Sequence, residues 1–236
     1  MIADLIEDIP YRLLCDTRRR KENYHIMSDL SIRTAIAADA ERCLAALTLA
    51  FSGDPPCRWA WPDPQQYLEA FPRFARAFGG WAIEHGTAHY SAGFCGVALW
   101  LPPGAAPDEE SLVKLIENTV ADERKGAMFS MFEQMDALHP QEAHWHLPLI
   151  GVDPVHQGKG IGSALLSHIL NVCDGQNVLA YLEATSPRNV PLYGRHGFVS
   201  GVESKPARDG RIKTSHFFSF KPVMVFWQGG DLKFFE

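Results

Sequence analysis

Three glycines, Gly158, Gly160 and Gly162, stand within five positions of the stretch VHQGKGIGSALL, residues 155–166. Glycine lacks a Cβ, so a backbone built from it can approach a bulky anion closely. An apolar run precedes the glycines and a helix-like run follows, which puts them at a strand-to-helix turn. The first turn of a helix offers unpaired N–H groups and a partial positive charge, a natural seat for a pyrophosphate. Lys159 adds a cation beside it. The dinucleotide fingerprint G-x-G-x-x-G fails here, because its third glycine falls on Ser163 or on Leu165. The P-loop fails as well: Asp153 stands where its first glycine belongs, and Gly160 follows the lysine. The surviving pattern is Gln157, Gly160 and Gly162. A turn that needs glycine for sterics alone is the competing reading.

Such a turn needs a strand to lead in and a helix to lead out. HWHLPLIGV (144–152) reads as the strand, with His144 and His146 alternating around Trp145 and so sharing a face. GSALLSHILNV reads as the helix, with Ile161, Leu165, Ile169 and Val172 on its core face. VLAYLEA (178–184) is the next strand, and VPLYGRHGF a short helix stopped by Gly197. Upstream, LSIRTA (30–35) alternates as a strand and DAERCLAALTLAF (39–51) has helical spacing. SGDPPCRWAWPDP is a loop by its glycine and prolines. QQYLEAFPRFARAFGGWAIEHG reads as helix, kinked or broken at Pro72. TAHYSAGFCGVALWLPPG holds two strands joined near Ala92 and Gly93. DEESLVKLIENTV and MFSMFEQMDAL are helical by periodicity, and the chain from 198 through PVMVFW (222–227) is strand-rich. This order predicts an α/β (α+β) fold: a mixed, mostly antiparallel sheet flanked by helices, with one parallel crossover. Residues 28–236 form one domain, with a helical insertion at about 105–141 of the kind that covers substrate sites. Residues 1–27 read as an N-terminal extension, disordered or docked.

The 236 residues are 46% hydrophobic and 21% charged, with a net charge of −6. That balance suits a globular domain and disfavours general nucleic-acid binding. The run RRRK (18–21) reads as a solvated tail or helix face. Five scattered cysteines with no C-x-x-C pair predict reduced thiols, no zinc and a cytoplasmic location. No run approaches the ~18 apolar residues a spanning helix needs, so no membrane partner is expected. The start MIADLIEDIPYRLLC lacks the order of a signal peptide.

GVDPVHQGKGIGSALL is similar to the coenzyme-A-binding motif of the GNAT superfamily of N-acetyltransferases. Downstream, YLEATSPRNVPLYGRHGF resembles the family's next strand and helix, whose L-Y-x-x-x-G-F is met by Leu192, Tyr193, Gly197 and Phe198. The resemblance is strong over 144–200 and extends to 28–104, where DPPCRWAWPD and VALWLPPG resemble a poorly characterised branch of the family. It implies a sheet splayed around the coenzyme, acetyl-CoA as co-substrate, no metal, and direct acetyl transfer to an amine without an acyl-enzyme. Gln157, Gly158, Lys159, Gly160, Ile161 and Gly162 would bind the pyrophosphate, with the Ser163 hydroxyl adding to them. The strand 147–152 would part from 178–184, and backbone groups near Ile150 and Val152 would hold the pantetheine arm and polarise the thioester. Pro148, which removes one ladder donor, fits the point of separation.

The same resemblance implies Tyr193 as the acid that protonates the departing thiolate. With ordinary values of ~10 for the phenol and ~8.5 for the thiol, that transfer costs only ~2 kcal/mol. An amine like lysine must lose a proton, at about 4–5 kcal/mol at pH 7. Glu183, at the "LE" where relatives use a glutamate, and His144 and His146 beside the thioester are the candidate bases. Many relatives carry an asparagine seven residues before the tyrosine. Here Ser186 holds that position, and Asn189, four before, is the coenzyme-side asparagine or simply the helix N-cap ahead of Pro191. Asp54 could bind the amine's charge. Phe51, Trp59, Trp61 and Trp100 either line an aromatic acceptor pocket or belong to the core. A small amine, an amino acid, a peptide N-terminus and a lysine side chain all remain open as acceptor, and a homodimer is allowed. The alternatives are a non-catalytic coenzyme-A sensor and a transferase using another acyl-CoA.

Overall fold

A computed structural model describes residues 30–200 and, beyond them, strands at 215–219, 226–228 and 231–233. The extension expected at 1–27 and the basic run at 18–21 lie outside the described residues. β1 (Ile32–Thr34), β2 (Ala88–Ser91), β3 (Gly96–Leu101) and β4 (His144–Val152) pair antiparallel in that order. β5 (Leu179–Ala184) joins β4 in parallel, after a crossover helix over Ile161–Gln176. The sheet continues past β5 through β7 (Ser215–Ser219) to β6 (Phe198–Ser200), again with parallel pairing, so the single parallel crossover read from the sequence is not the sheet's only parallel contact. β8 (Phe226–Gln228) and β9 (Asp231–Lys233) form a separate hairpin.

Helices cover both faces, which is why β3 is buried along its whole length. On one face pack α1 (Ala40–Ala50) and α3 (Pro64–Phe78), with the short α2 (Pro55–Ala60) between them. On the other lies α6 (Ile161–Gln176), which buries Ile161, Leu165, Leu166, Ile169, Leu170 and Cys173. Val172, expected on that face, is instead exposed. Pro72 sits inside α3 without breaking it. The carbonyl that loses its partner belongs to Leu68, on the exposed side where water can serve it. Phe71, Phe74 and Phe78 meanwhile bury the opposite side. The helix read through residue 86 stops at Phe78. A Cβ on Gly79 would lie 2.4 Å from Leu99 Cδ1, and Gly80 takes φ +54°, so this glycine pair turns the chain tightly against β3.

Between β3 and β4 run α4 (Glu109–Thr119) and α5 (Asp122–Ala137). Their ends are pinned to the domain by tryptophans. Trp81 Nε1 donates to Asp108 at 2.9 Å, Trp61 Nε1 to Thr119 Oγ1 at 3.0 Å, and Arg124 donates to the Trp59 carbonyl at 2.8 Å.

Candidate active site

β4 and β5 are in register from His144–Leu179 to Leu147–Leu182, and their pairing stops there, at Pro148. Against β3, Leu101 faces His146 and Leu99 faces Leu149, so β4 carries one extra residue at Leu147–Pro148. This bulge switches faces: Leu147 packs towards α6, while Leu149 packs towards α1 and α3. After it, the β5-facing edge of β4 is open through Ile150 and Val152, as the separation of the two strands requires.

The opened strands line one cleft of about 1170 Å³. That exceeds the ~300–1,000 Å³ of a typical one-ligand pocket and leaves room for two co-substrates. One wall is the glycine turn. Asp153 accepts from the Val155 N–H at 3.1 Å, and Gln157 Nε2 donates to the Val152 carbonyl at 3.1 Å. Gln157 therefore braces the turn. Gly158 and Gly160 adopt φ +73° and +84°, a region glycine favours. A Cβ on Gly158 would meet nothing within 4 Å, and on Gly160 only Leu30, at 4.0 Å. The glycines thus keep an open cradle and are not demanded by packing. The first helical bond of α6 runs from Ala164 N–H to Gly160 O at 3.0 Å. The N–H groups of Ile161, Gly162 and Ser163 have no acceptor within the helix. Gly162 and Ser163 line the cleft, and the Ser163 hydroxyl also meets His196 Nε2 at 2.9 Å. Lys159 is not among the residues lining it.

Opposite stands α7 (Val190–Arg195), with Pro191 in its first turn. Asn189 occupies the N-cap position, but its side chain makes no cap bond. It hydrogen-bonds Tyr193 instead. Tyr193 is 4% exposed and lines the cleft. Burial pushes its phenol up to about 12, against the pull of the Asn189 bond.

Glu183, on β5, projects into the same cleft while its side chain is 94% removed from solvent (6% exposed). His146 Nε2 lies 2.8 Å from Glu183 Oε2, and the Tyr181 hydroxyl also bonds this carboxylate. Burial alone would raise the carboxyl's pKa. The His146 ring, then Tyr181 and His139, outweigh burial and hold it below the usual range. His139, at the end of the insertion, brings Nδ1 to 4.0 Å from Glu183 Oε1 and Nε2 to 2.9 Å from His144 Nε2. His144 Nδ1 lies 2.7 Å from the Glu142 carbonyl, which only accepts, so Nδ1 carries the proton and the neutral ring's Nε2 accepts from His139. Burial pushes His139 down to about 4 and lowers His144 too.

The structure therefore brings Glu183, His144 and His146 into one cluster, of which only Glu183 lines the cleft. Asp54 also lines it, accepting from the Cys57 N–H at 3.2 Å and from the Thr185 hydroxyl at 2.7 Å. Trp59 and Trp100 do not line the cleft: Trp100 is fully buried in the core, and Trp59 packs at the foot of the insertion. The aromatic wall is formed by Phe51, Phe74, Phe78 and Phe132. His139 escaped the sequence reading, although three histidines within eight residues of HPQEAHWH were the available signal. Among the described residues no group of three or more metal-ligating side chains is placed to hold an ion. No helix among them is long and apolar enough to cross a membrane.

A model of the acetyltransferase (GNAT) domain matches residues 119–200. A curated relative, an uncharacterized N-acetyltransferase of Schizosaccharomyces pombe, is 28% identical over 183 residues, spanning 69% of this chain and 72% of its own. A solved histone acetyltransferase and related acetyltransferase from Corynebacterium glutamicum matches with TM-score 0.54 and 27% identity, over 75% of this chain and 90% of that one. Arylalkylamine N-acetyltransferase 2 from Aedes aegypti shares the fold, with TM-score 0.51 at 16% identity over 78% and 90% of the two chains. A mixed open sheet, parted at a proline beside a glycine turn, together with these matches defines an acyltransferase. Residues 119–200 match the acetyltransferase (GNAT) domain, and the relative and the solved structure that resemble the longer chain are acetyltransferases too, which supports a member of the GNAT superfamily.

Proposed function

We propose that the protein transfers the acetyl group of acetyl-CoA directly to an amine. The supporting observation is that the glycine turn, Tyr193 and Glu183 all line one cleft. The cradle above Gly158 and Gly160 fits a pyrophosphate, because it is open where a side chain would stand. Acetyl-CoA, when bound, supplies an activated thioester. Main-chain N–H groups of the turn and of the first turn of α6 hold its phosphates, and the free edge of β4 at Ile150 and Val152 holds the pantetheine arm and polarises the carbonyl.

As the C–S bond breaks, Tyr193 protonates the departing sulfur and regains a proton from the nitrogen of the new amide, so the ammonium's two lost protons go one to Glu183 and one, by way of Tyr193, to the thiol. The gap between about 12 for the buried phenol and ~8.5 for a thiol costs about 5 kcal/mol, more than an exposed tyrosine would require. The Asn189 bond keeps the cost from being larger. Glu183 stays anionic, receives the ammonium and takes its proton. His146 acts by holding that carboxylate in place. The proton then passes to His139, whose Nδ1 lies 4.0 Å from the carboxylate, and leaves to solvent from that partly exposed ring.

The test is release of coenzyme thiol across a panel of amines, with the purified full chain. Release that requires both acetyl-CoA and an amine supports the transferase. Tight coenzyme binding without turnover of any acceptor supports a sensor. Faster release from a longer acyl-CoA would replace acetyl as the transferred group.

A further inference from the structure

We infer that the acceptor is a small primary amine with an aromatic or bulky aliphatic tail and no carboxylate. This inference rests on the transferase reading above. The apolar branch of the cleft lining is formed by Phe51, Phe74 and Phe78 together with Met131, Phe132 and Met135 of α5. Phe74 stacks on Phe78 with ring centroids 5.2 Å apart, and Phe78 meets Phe132 edge-on at 5.9 Å. These rings join α3 to the insertion, so α5 roofs the branch. Phe74 and Phe78 are buried, and the three α5 residues are half-buried. This part of the lining is apolar.

The carboxylate at this end is Glu183, whose partner His146 meets Phe78 edge-on. Glu183 and Asp54 are the carboxylates lining the cleft, and the partners of Glu183 hold its carboxyl below the usual range. The arginines of the cleft, Arg188 and Arg195, stand before and at the end of α7, on the coenzyme side. Among the described residues of the apolar branch there is no lysine or arginine. A substrate carboxylate beside the phenylalanines would meet the Glu183 anion and no cation, since Asp54 is turned to Thr185 and Tyr193. The second ammonium of a diamine would be desolvated among rings without a partner, and a peptide's backbone would lose its hydrogen bonds against the same walls. An amine nitrogen at Glu183 with an apolar tail between the phenylalanines satisfies every group present. The apolar walls also lower the cost of stripping the ammonium's proton. Met131 and Met135 adapt to tail shape, so several tails should serve.

The test compares kcat/KM, by acetyl-CoA-dependent thiol release, for 2-phenylethylamine, L-phenylalanine, putrescine and a lysine-bearing peptide. L-Phenylalanine differs from the first only by its carboxylate. 2-Phenylethylamine is expected to exceed each of the others at least about tenfold. Equal or better turnover of any of the three overturns the inference and leaves the transferase reading standing. No release with any of the four overturns both. Met131→Lys introduces a cation into the wall and should shift the ratio towards L-phenylalanine about tenfold or more. An unchanged ratio overturns the placement of the wall. If that variant does not fold, Met131→Gln should lower kcat/KM for 2-phenylethylamine severalfold without moving the affinity for acetyl-CoA, and an unchanged kcat/KM counts against the inference.

Discussion

The pair Glu183 and His146 shows how a carboxylate buried to 6% exposure stays charged. Burial disfavours the anion by removing water, and an imidazole at 2.8 Å with a tyrosine hydroxyl supplies the missing partners. Replacing His146 by Gln removes the larger of these supports. The Glu183 pKa then rises, and the acid limb of kcat at saturating amine moves up by about one pH unit or more. A pH profile identical to the parent's would separate His146 from the carboxylate's chemistry. His139→Gln interrupts the exit route without touching the coenzyme. Its kcat should fall while the affinity for acetyl-CoA holds, and an unaltered kcat under chemistry-limited conditions removes the route. Tyr193→Phe should lower kcat about 10²-fold and leave the acetyl-CoA Kd within about twofold by calorimetry. Full turnover would refute the acid role.

At the scale of elements, the site is made by two strands failing to stay together. Pro148 has no N–H to offer, and the extra residue at Leu147–Pro148 moves Leu149 to the opposite face. The glycine turn follows at once, so the gap and the proposed anion seat come from one continuous segment. Gly160→Val is a test at this scale. A branched side chain at φ +84° strains the turn and occupies the open cradle, so acetyl-CoA should bind at least about tenfold more weakly. Unchanged affinity, with the melting temperature preserved, would show that the pyrophosphate sits elsewhere. Much at this scale was legible in the sequence. β4 spans the same residues, 144–152, that alternation assigned to it, because it is long and bounded by a turn. The end of α3 was not legible, since the demand for glycine at 79 and 80 comes from β3, which is distant in sequence.

The whole molecule adds a dependence on pH that belongs to no single element. His89 on β2 is 5% exposed, beside His168 of α6 with ring centroids 4.6 Å apart. Burial, then the neighbouring ring, pushes its pKa from 6.5 down to about 4. The folded state therefore refuses a proton that the unfolded chain accepts. The stability present above pH ~6.5 is lost as pH falls towards 4, by up to about 3 kcal/mol. His139 pulls the same way, less strongly because it is partly exposed. Chemical denaturation at pH 7 and pH 4.5 should show this loss, and His89→Gln should reduce it. An equal loss in the variant would place the acid sensitivity in other groups.

The sequence by itself determined the features of the proposed donor side: a glycine turn after a strand, read from spacing, and, through the resemblance it carries, a tyrosine on the following short helix and two strands parting near a proline. These signals are local, because backbone geometry and periodicity act over a few residues. Tertiary structure decided the side proposed for the acceptor. Which aromatics face the cleft, that Trp100 is core while Phe74, Phe78 and Phe132 form walls, and that His139 reaches Glu183 from the end of α5 all depend on how the insertion packs across the sheet. An aromatic residue looks the same in a list whether it packs or lines, and only the fold says which side of it is left open.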